Sequence, residues 1–187
     1  MLPTALHFSH QLLAEIILPN DFVVDATMGN GHDTLYLAQL VGPHGKVFAF
    51  DVQAQALAAT HDRLLTANQL TQVQLIQAGH QEFQQFVQPD VQLKAAIFNL
   101  GYLPKSDKQI ITQGPTTLAA IEQILTQLLP KGRIIVVAYY GHDGGHVELA
   151  QLQTFCETLP QENYQVMTYQ FINQRNQPPI LFCIEKK

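Results

Sequence analysis

The chain has no tryptophan, two cysteines and few charges: Asp, Glu, Lys and Arg together make up 13% of its 187 residues. Each scarcity excludes something. Disordered chains and coiled coils are rich in charge, whereas here hydrophobic residues reach 47%. Such a chain can bury a core and has the length of one domain, taken as residues 1–187. Apolar runs stop well short of the ~20 residues that span a bilayer, so no membrane partner is expected. The opening MLPTALHFSHQLL lacks the basic start and cleavage site of a secretory signal, which makes the cytoplasm the expected compartment. Cys156 and Cys183 sit in apolar settings, TFCETL and ILFCIE. They read as small core hydrophobes, because a reducing compartment disfavours a disulfide. Ten Lys and Arg against a net charge of −5 weigh against a broad, non-specific nucleic-acid binder. A local grip on a short piece of RNA through Lys105, Lys108 and Arg175 stays open.

What the chain does have is alternation. FVVDA (22–26), KVFAFD (46–51), VQLIQA (73–78), AAIFNL (95–100) and RIIVVAYY (133–140) are short β-branched or aromatic runs bounded by Gly, Pro or polar residues. Buried parallel strands look like this. Helical patterns fall at Ser9–Leu18, with Ser9 as N-cap candidate, and at Thr34–Leu40, Ala54–Asn68 and Val147–Leu159. A fifth, Thr116–Leu129, is expected to stop at Pro130–Lys131–Gly132. Strands and helices in that order predict an α/β doubly wound sheet. The last two strand-like runs, YQVMTYQFI (164–172) and PILFCIEK (179–186), are joined by too few residues for a helix. They predict an antiparallel hairpin closing the mostly parallel sheet.

The first strand runs into VDATMGNGHDT. Asp25 ends the strand, and Gly29 and Gly31 let the backbone turn sharply and a ligand approach without meeting a Cβ. The next helix points its free N–H groups at the same cleft. Asp51 ends the second strand 20 residues beyond Gly31, a place from which a carboxylate can accept both hydroxyl hydrogens of a ribose. Three ligands compete for such a loop. A P-loop needs a Lys after the glycines, and none follows. A dinucleotide fingerprint needs a third Gly where Thr34 stands, and its pyrophosphate would face Asp33. S-adenosylmethionine fits better, because its methionine end carries an ammonium that acidic residues at 25 and 33 would answer. Ala78–Gly79–His80 ends the third strand, where an adenine would lie, and His80 could flank the ring.

The fourth strand ends in Asn99–Leu100–Gly101–Tyr102–Leu103–Pro104. The spacing Asn99…Tyr102 resembles the [DN]PP[YF] element of methyltransferases that act on amino nitrogens, with Leu-Gly in place of Pro-Pro. A neutral amine has N–H donors and one lone pair. If the Asn99 oxygen and a backbone carbonyl take the hydrogens, the lone pair is left for the methyl. An aromatic such as Tyr102 can stack on a planar base. Orientation of this kind can lower a barrier by up to ~7–11 kcal/mol in ideal cases.

Together, DATMGNGHDTLYLA, FNLGYLPKSDK, the TTLAAIEQ helix, YYGHDGGHVE and FINQRNQPPILFCIEK make the chain resemble, over nearly its whole length, the small class I S-adenosylmethionine methyltransferases known as putative rRNA methylases. Members of that family methylate 5-aminomethyl-2-thiouridine at the tRNA wobble position. Lys105–Ser106 departs from the Gly-Gly expected after LGYLP. The resemblance implies a Rossmann-like class I fold with a seven-stranded sheet, S-adenosylmethionine as donor, tRNA (the anticodon stem-loop) as partner and a homodimer. The expected donor site is Asp25, Thr27, Gly29, Asn30, Gly31, Asp33, Thr34, Asp51, Gln53, Gly79, His80 and Asn99.

Catalysis is expected from Asn99 and Tyr102, with Tyr140 and His142 beside them. His142 or a Tyr could accept the proton an alkylammonium must lose, or hold the nucleobase. Leu100, Gly101, Pro104, Lys105 and Tyr139 are expected to meet the acceptor. The amide-rich loop with Asn173, Arg175 and Asn176 could read base edges and a phosphate. His142 and His146 have the i, i+4 spacing that suits zinc on a helix. Gly144–Gly145 makes a helix poor there and no Cys is near, so no metal is expected. His10, on the opening helix, could cover the cofactor. The alternatives are methylation of rRNA or of a small-molecule amine, non-catalytic binding of an adenosyl ligand, and nicotinamide-dependent dehydrogenation.

Overall fold

Stretches such as Val47–Phe50 and Ile134–Val137 are apolar at every position, so as strands they need a helical layer on each side. The structure, a computed structural model that describes residues 1–101 and 112–187, supplies both layers. Parallel strands β1 (Phe22–Asp25), β2 (Lys46–Asp51), β3 (Val73–Gln77), β4 (Leu93–Leu100) and β5 (Leu128–Ala138) are joined by β6 (Tyr164–Tyr169) and β7 (Ile180–Lys186). The order is β3-β2-β1-β4-β5-β7-β6, with β7 antiparallel to both β5 and β6. The sheet is therefore mostly parallel and closed by an antiparallel hairpin, as the sequence predicts.

Helices α1 (Ala5–Ala14), α2 (His32–Val41) and α3 (Ala54–Thr66) cover one face. They bury Leu12, Leu13, Leu37, Val41 and Leu64 with Val23, Ala49, Ile97 and Ile135. On the other face lie α4 (Phe83–Phe86), which follows a 3-10 turn at His80–Glu82, with α5 (Gly114–Gln127) and α6 (Gly145–Thr158). Phe83, Ile121, Ile124 and Leu152 pack there against Phe48, Phe98, Val136 and Phe182. Each fully buried Leu, Ile or Phe contributes about 1.5–3 kcal/mol. Cys156 and Cys183 are free and fall in the clusters on opposite faces of the sheet, with burial pushing both thiols up to about 12.

Two expectations are corrected. Ser9 does not cap the opening helix. Thr4 does, its hydroxyl accepting the His7 N–H at 3.2 Å, while Ser9 is buried mid-helix and donates to the Leu6 carbonyl at 2.6 Å. The buried stripe Ala5, Ser9, Leu12, Leu13 has helical spacing from position 5, which is why the helix starts there. Nor does Pro130–Lys131–Gly132 stop the fifth predicted helix. α5 passes straight into β5 at Leu128, and the three residues bulge within that strand. The register jumps from Leu93↔Leu128 to Ala95↔Arg133, and Lys131 takes φ 62°, so turn-forming residues serve as a β-bulge.

Candidate active site

The C-terminal ends of β1, β2, β4 and β5 share one edge of the sheet. β1 and β4 are neighbours there, although the chain winds away from them in opposite directions. The crevice at such a switch point is where open α/β sheets take their ligands.

Asp25 closes β1 and is fully buried. One oxygen accepts the Thr27 N–H at 3.2 Å and the other the Thr34 hydroxyl at 2.6 Å. Burial, followed by the charge of Asp33, pushes Asp25 up to about 7 against those two bonds. Asp51 closes β2 and accepts from Gly29 N at 3.0 Å and Gln53 N at 2.9 Å. Its pKa too is raised by burial, less than it would be without those donors. From α3, Thr60 donates to the Gly29 carbonyl at 3.1 Å, and Arg63 Nε donates to that of Asn30 at 2.7 Å. The loop is thus held by β2 at its N–H groups and by α3 at its carbonyls. Gly31 has φ +75°, and a Cβ there would lie 2.8 Å from the Thr60 side chain. Both the turn and the close approach of α3 require glycine at that position.

Asp33, in the first turn of α2, joins residues from three elements. Its Oδ1 lies 2.6 Å from His10 Nε2 on α1, and its Oδ2 accepts from Asn99 Nδ2 on β4, also at 2.6 Å. The Asn99 N–H donates to the Thr27 hydroxyl at 2.7 Å, which ties β4 to the loop after β1. The His10 ring stacks on Tyr36 with centroids 4.1 Å apart, and the Tyr36 hydroxyl donates to the His10 carbonyl at 2.9 Å.

Past the end of β3, His80 Nδ1 lies 3.0 Å from the Ala26 carbonyl and so carries the hydrogen. Burial lowers the pKa of the ring despite that bond, which favours the neutral imidazole. Its Nε2 is buried without a hydrogen-bond partner among the described residues.

Beyond β5, Tyr139 donates its N–H to the Leu100 carbonyl at 2.9 Å. Burial and the charge of Asp33 raise its phenol pKa. His142 stands beside the end of β4, its Nε2 3.9 Å from where a Gly101 Cβ would be. Tyr140 meets His146 edge-on at 5.2 Å. α6 begins at Gly145 behind a left-handed Gly144, so His146 lies on the helix and His142 before it. A Cβ on Gly141 would lie 3.1 Å from the Gln177 amide oxygen, which brings the hairpin loop to this edge. The pairing Ala138↔Ile180 puts Asn173, Arg175 and Asn176 of that loop at the same end of the sheet, all exposed.

Of the expected residues, Asp25, Thr27, Gly29, Gly31, Asp33, Thr34 and Asn99 come together around one hydrogen-bonded crevice, with Asp51 and Gln53 adjoining. Tyr102, Pro104 and Lys105, with Lys108, lie outside the described residues. The sequence reading missed the contacts of His10, Tyr36, Thr60 and Arg63, and a clasp at Glu148. That buried carboxylate accepts from the Thr112 hydroxyl at 2.8 Å and the Thr117 hydroxyl at 2.9 Å, while Thr112 Oγ1 accepts the Gly101 N–H at 2.9 Å. No local spacing announces these partners, which are joined only by the folded sheet.

Carboxylates at the ends of β1, β2 and α2 suit a cationic nucleoside and oppose a pyrophosphate. Solved structures agree with that chemistry. A "putative rRNA-methylase" from Clostridium thermocellum superposes with a TM-score of 0.97 at 42% identity, covering 100% of both chains. A "putative methyltransferase" from Streptococcus mutans, in complex with S-adenosylhomocysteine, gives a TM-score of 0.90 at 43% identity with the same coverage. Fold and crevice together are those of a class I S-adenosylmethionine-dependent methyltransferase. Residues 47–185 match the family described as "Putative rRNA methylase", and the chain belongs to it. A curated relative, the chloroplastic tRNA (mnm(5)s(2)U34)-methyltransferase of Arabidopsis thaliana, is 32% identical over 191 residues, covering 98% of this chain and 70% of its own. Among the described residues no helix is long and apolar enough to cross a membrane.

Proposed function

We propose that this RNA methyltransferase acts on the primary amine of 5-aminomethyl-2-thiouridine at the wobble position of tRNA. The observation that carries the reading is Asn99 at the end of β4. Its amide nitrogen is occupied by Asp33, so its oxygen is the group left to accept hydrogens from an amine. An alkylamine is protonated at neutral pH and must shed that proton before its lone pair is available. His142, next to Gly101, is the group we assign to take it, with Tyr139 and Tyr140 beside the base. Asp25, Asp33 and the loop from Thr27 to Gly31 would hold the methionine end of S-adenosylmethionine, Asp51 the ribose and His80 the adenine side. When bound, S-adenosylmethionine would supply a sulfonium methyl open to attack by an amine lone pair, with S-adenosylhomocysteine as the leaving thioether. The hairpin loop with Asn173, Arg175 and Asn176 would meet the RNA. The wobble assignment draws on the Arabidopsis relative's own substrate. The assembly we propose is a homodimer, because among the described residues β6 is an edge strand of the sheet, of the kind proteins cover.

The test is nucleoside mass spectrometry of tRNA bearing the aminomethyl group after incubation with enzyme and donor. One added methyl on that nucleoside is expected. An unchanged nucleoside, with S-adenosylhomocysteine released on ribosomal RNA or a small amine instead, overturns the substrate. Asn99→Ala is expected to cut turnover at least tenfold, about 1.4 kcal/mol, with little change in donor affinity by calorimetry. Equal loss of both refutes its assigned role.

A further inference from the structure

Resting on that reading and deepening it, we propose that His10 is a positioning residue for methyl transfer: acting through Asp33, it holds the Asn99 amide with its oxygen toward the acceptor amine. An asparagine side chain is ambiguous, since a half-turn about its last bond exchanges two N–H donors for an acceptor oxygen. Only the oxygen can receive an amine's hydrogens; the flipped amide would set donors against donors. The partner of Asn99 therefore decides whether the site works, and that partner is Asp33 Oδ2 at 2.6 Å. An ionised carboxylate accepts only, so it draws the amide nitrogen toward itself.

The charge of Asp33 reaches buried Asp25, and the other Asp33 oxygen is held in turn by His10. The His10 Nε2 lies 2.6 Å from that oxygen, with the two side chains only 24% and 11% exposed. A contact so short and so shielded is a charge-assisted hydrogen bond rather than a surface ion pair.

The donor is also held in place. Tyr36 stacks on the His10 ring and bonds its carbonyl. α1 itself is fastened to the sheet by Arg133 Nη1, which donates to the Leu12 carbonyl at 2.8 Å and to Glu15 at 2.7 Å. The chain His10–Asp33–Asn99 thus runs from a helix outside the nucleotide loop to the group that orients the nucleophile.

Four proteins test this: wild type, His10→Leu, His10→Gln and Asp33→Asn. Gln can place an N–H donor where His10 Nε2 stands, and Leu cannot. For His10→Leu, kcat on aminomethyl tRNA is expected to fall at least about tenfold, while KM for tRNA and the dissociation constant for S-adenosylhomocysteine stay within about threefold. His10→Gln is expected to recover most of the turnover. Asp33→Asn, no longer an acceptor-only partner, is expected to be as slow as His10→Leu. An independent readout is the side-chain amide resonance of Asn99 in 15N-labelled protein without ligand. It is expected to move in His10→Leu and return in His10→Gln. Unchanged turnover with an unmoved resonance overturns the proposal. So does a loss that His10→Gln fails to restore while melting temperature falls in step, which would mark His10 as a structural pin. If wild type itself leaves the tRNA unmethylated, the substrate reading fails, and the Asn99 resonance alone still decides the positioning role.

Discussion

Asp25 is sealed beneath the crevice with a hydroxyl and one N–H for company, next to a second carboxylate. Its folded pKa of about 7 stands above the ordinary aspartate value of 3.8, so between those values the folded chain binds more protons than the unfolded one. Stability from this group is therefore fully present below about pH 4 and is lost as pH rises through about 7. Asp25→Asn is expected to flatten that slope in the ligand-free protein, by on the order of 1–4 kcal/mol between pH 5 and pH 8, measured by urea unfolding at both. A cationic ligand favours the ionised carboxylate, so the donor is expected to raise the melting temperature of wild type more at pH 8 than at pH 5. At this scale the sequence announced the acids at 25, 33 and 51 by their places at strand and helix ends. It was silent on which oxygen meets which donor, since the partners of Asp33 sit on α1 and β4, 23 and 66 positions away.

Among the elements, the loop between β1 and α2 was the most legible. Gly29 and Gly31 both take positive φ, and Gly31 is crowded by α3 as well. Gly31→Ala is expected to cost at least about 2 kcal/mol, combining a left-handed penalty of ~1–2 kcal/mol with a Cβ forced onto Thr60. Adding Thr60→Ala is not expected to rescue it, because the Thr60 Cα itself lies 2.9 Å from the new atom. Denaturant midpoints of the single and double variants measure this, and recovery in the double variant would refute the backbone clash. β2 was legible to the residue, as apolar runs on a parallel sheet are buried on both faces. α1 and the α5–β5 junction were not. Ser9 and Pro130–Lys131–Gly132 carry strong local signals, yet tertiary pairing used the first as core and the second as a bulge.

Across the whole molecule, Arg133 links what the chain order separates. It joins α1 through Leu12 and Glu15 to β7 through Glu185 at 2.8 Å. Arg133→Met removes three charge-assisted bonds and leaves Glu185, half-covered, without its cation. The expected cost is about 1–3 kcal/mol, seen as a fall in melting temperature, with turnover falling as α1 loosens its hold on His10. A variant as stable and as active as wild type would show that α1 is held by apolar packing alone. By itself the sequence determined the layered sheet, its antiparallel close and the acidic loop, because periodicity, strand-end carboxylates and glycine positions act within a few residues of one another. Only the tertiary structure decided that α1 reaches over to Asp33 and that Asn99 turns its nitrogen to the same carboxylate. Those choices depend on distances between segments far apart in the chain, which short-range pattern does not carry.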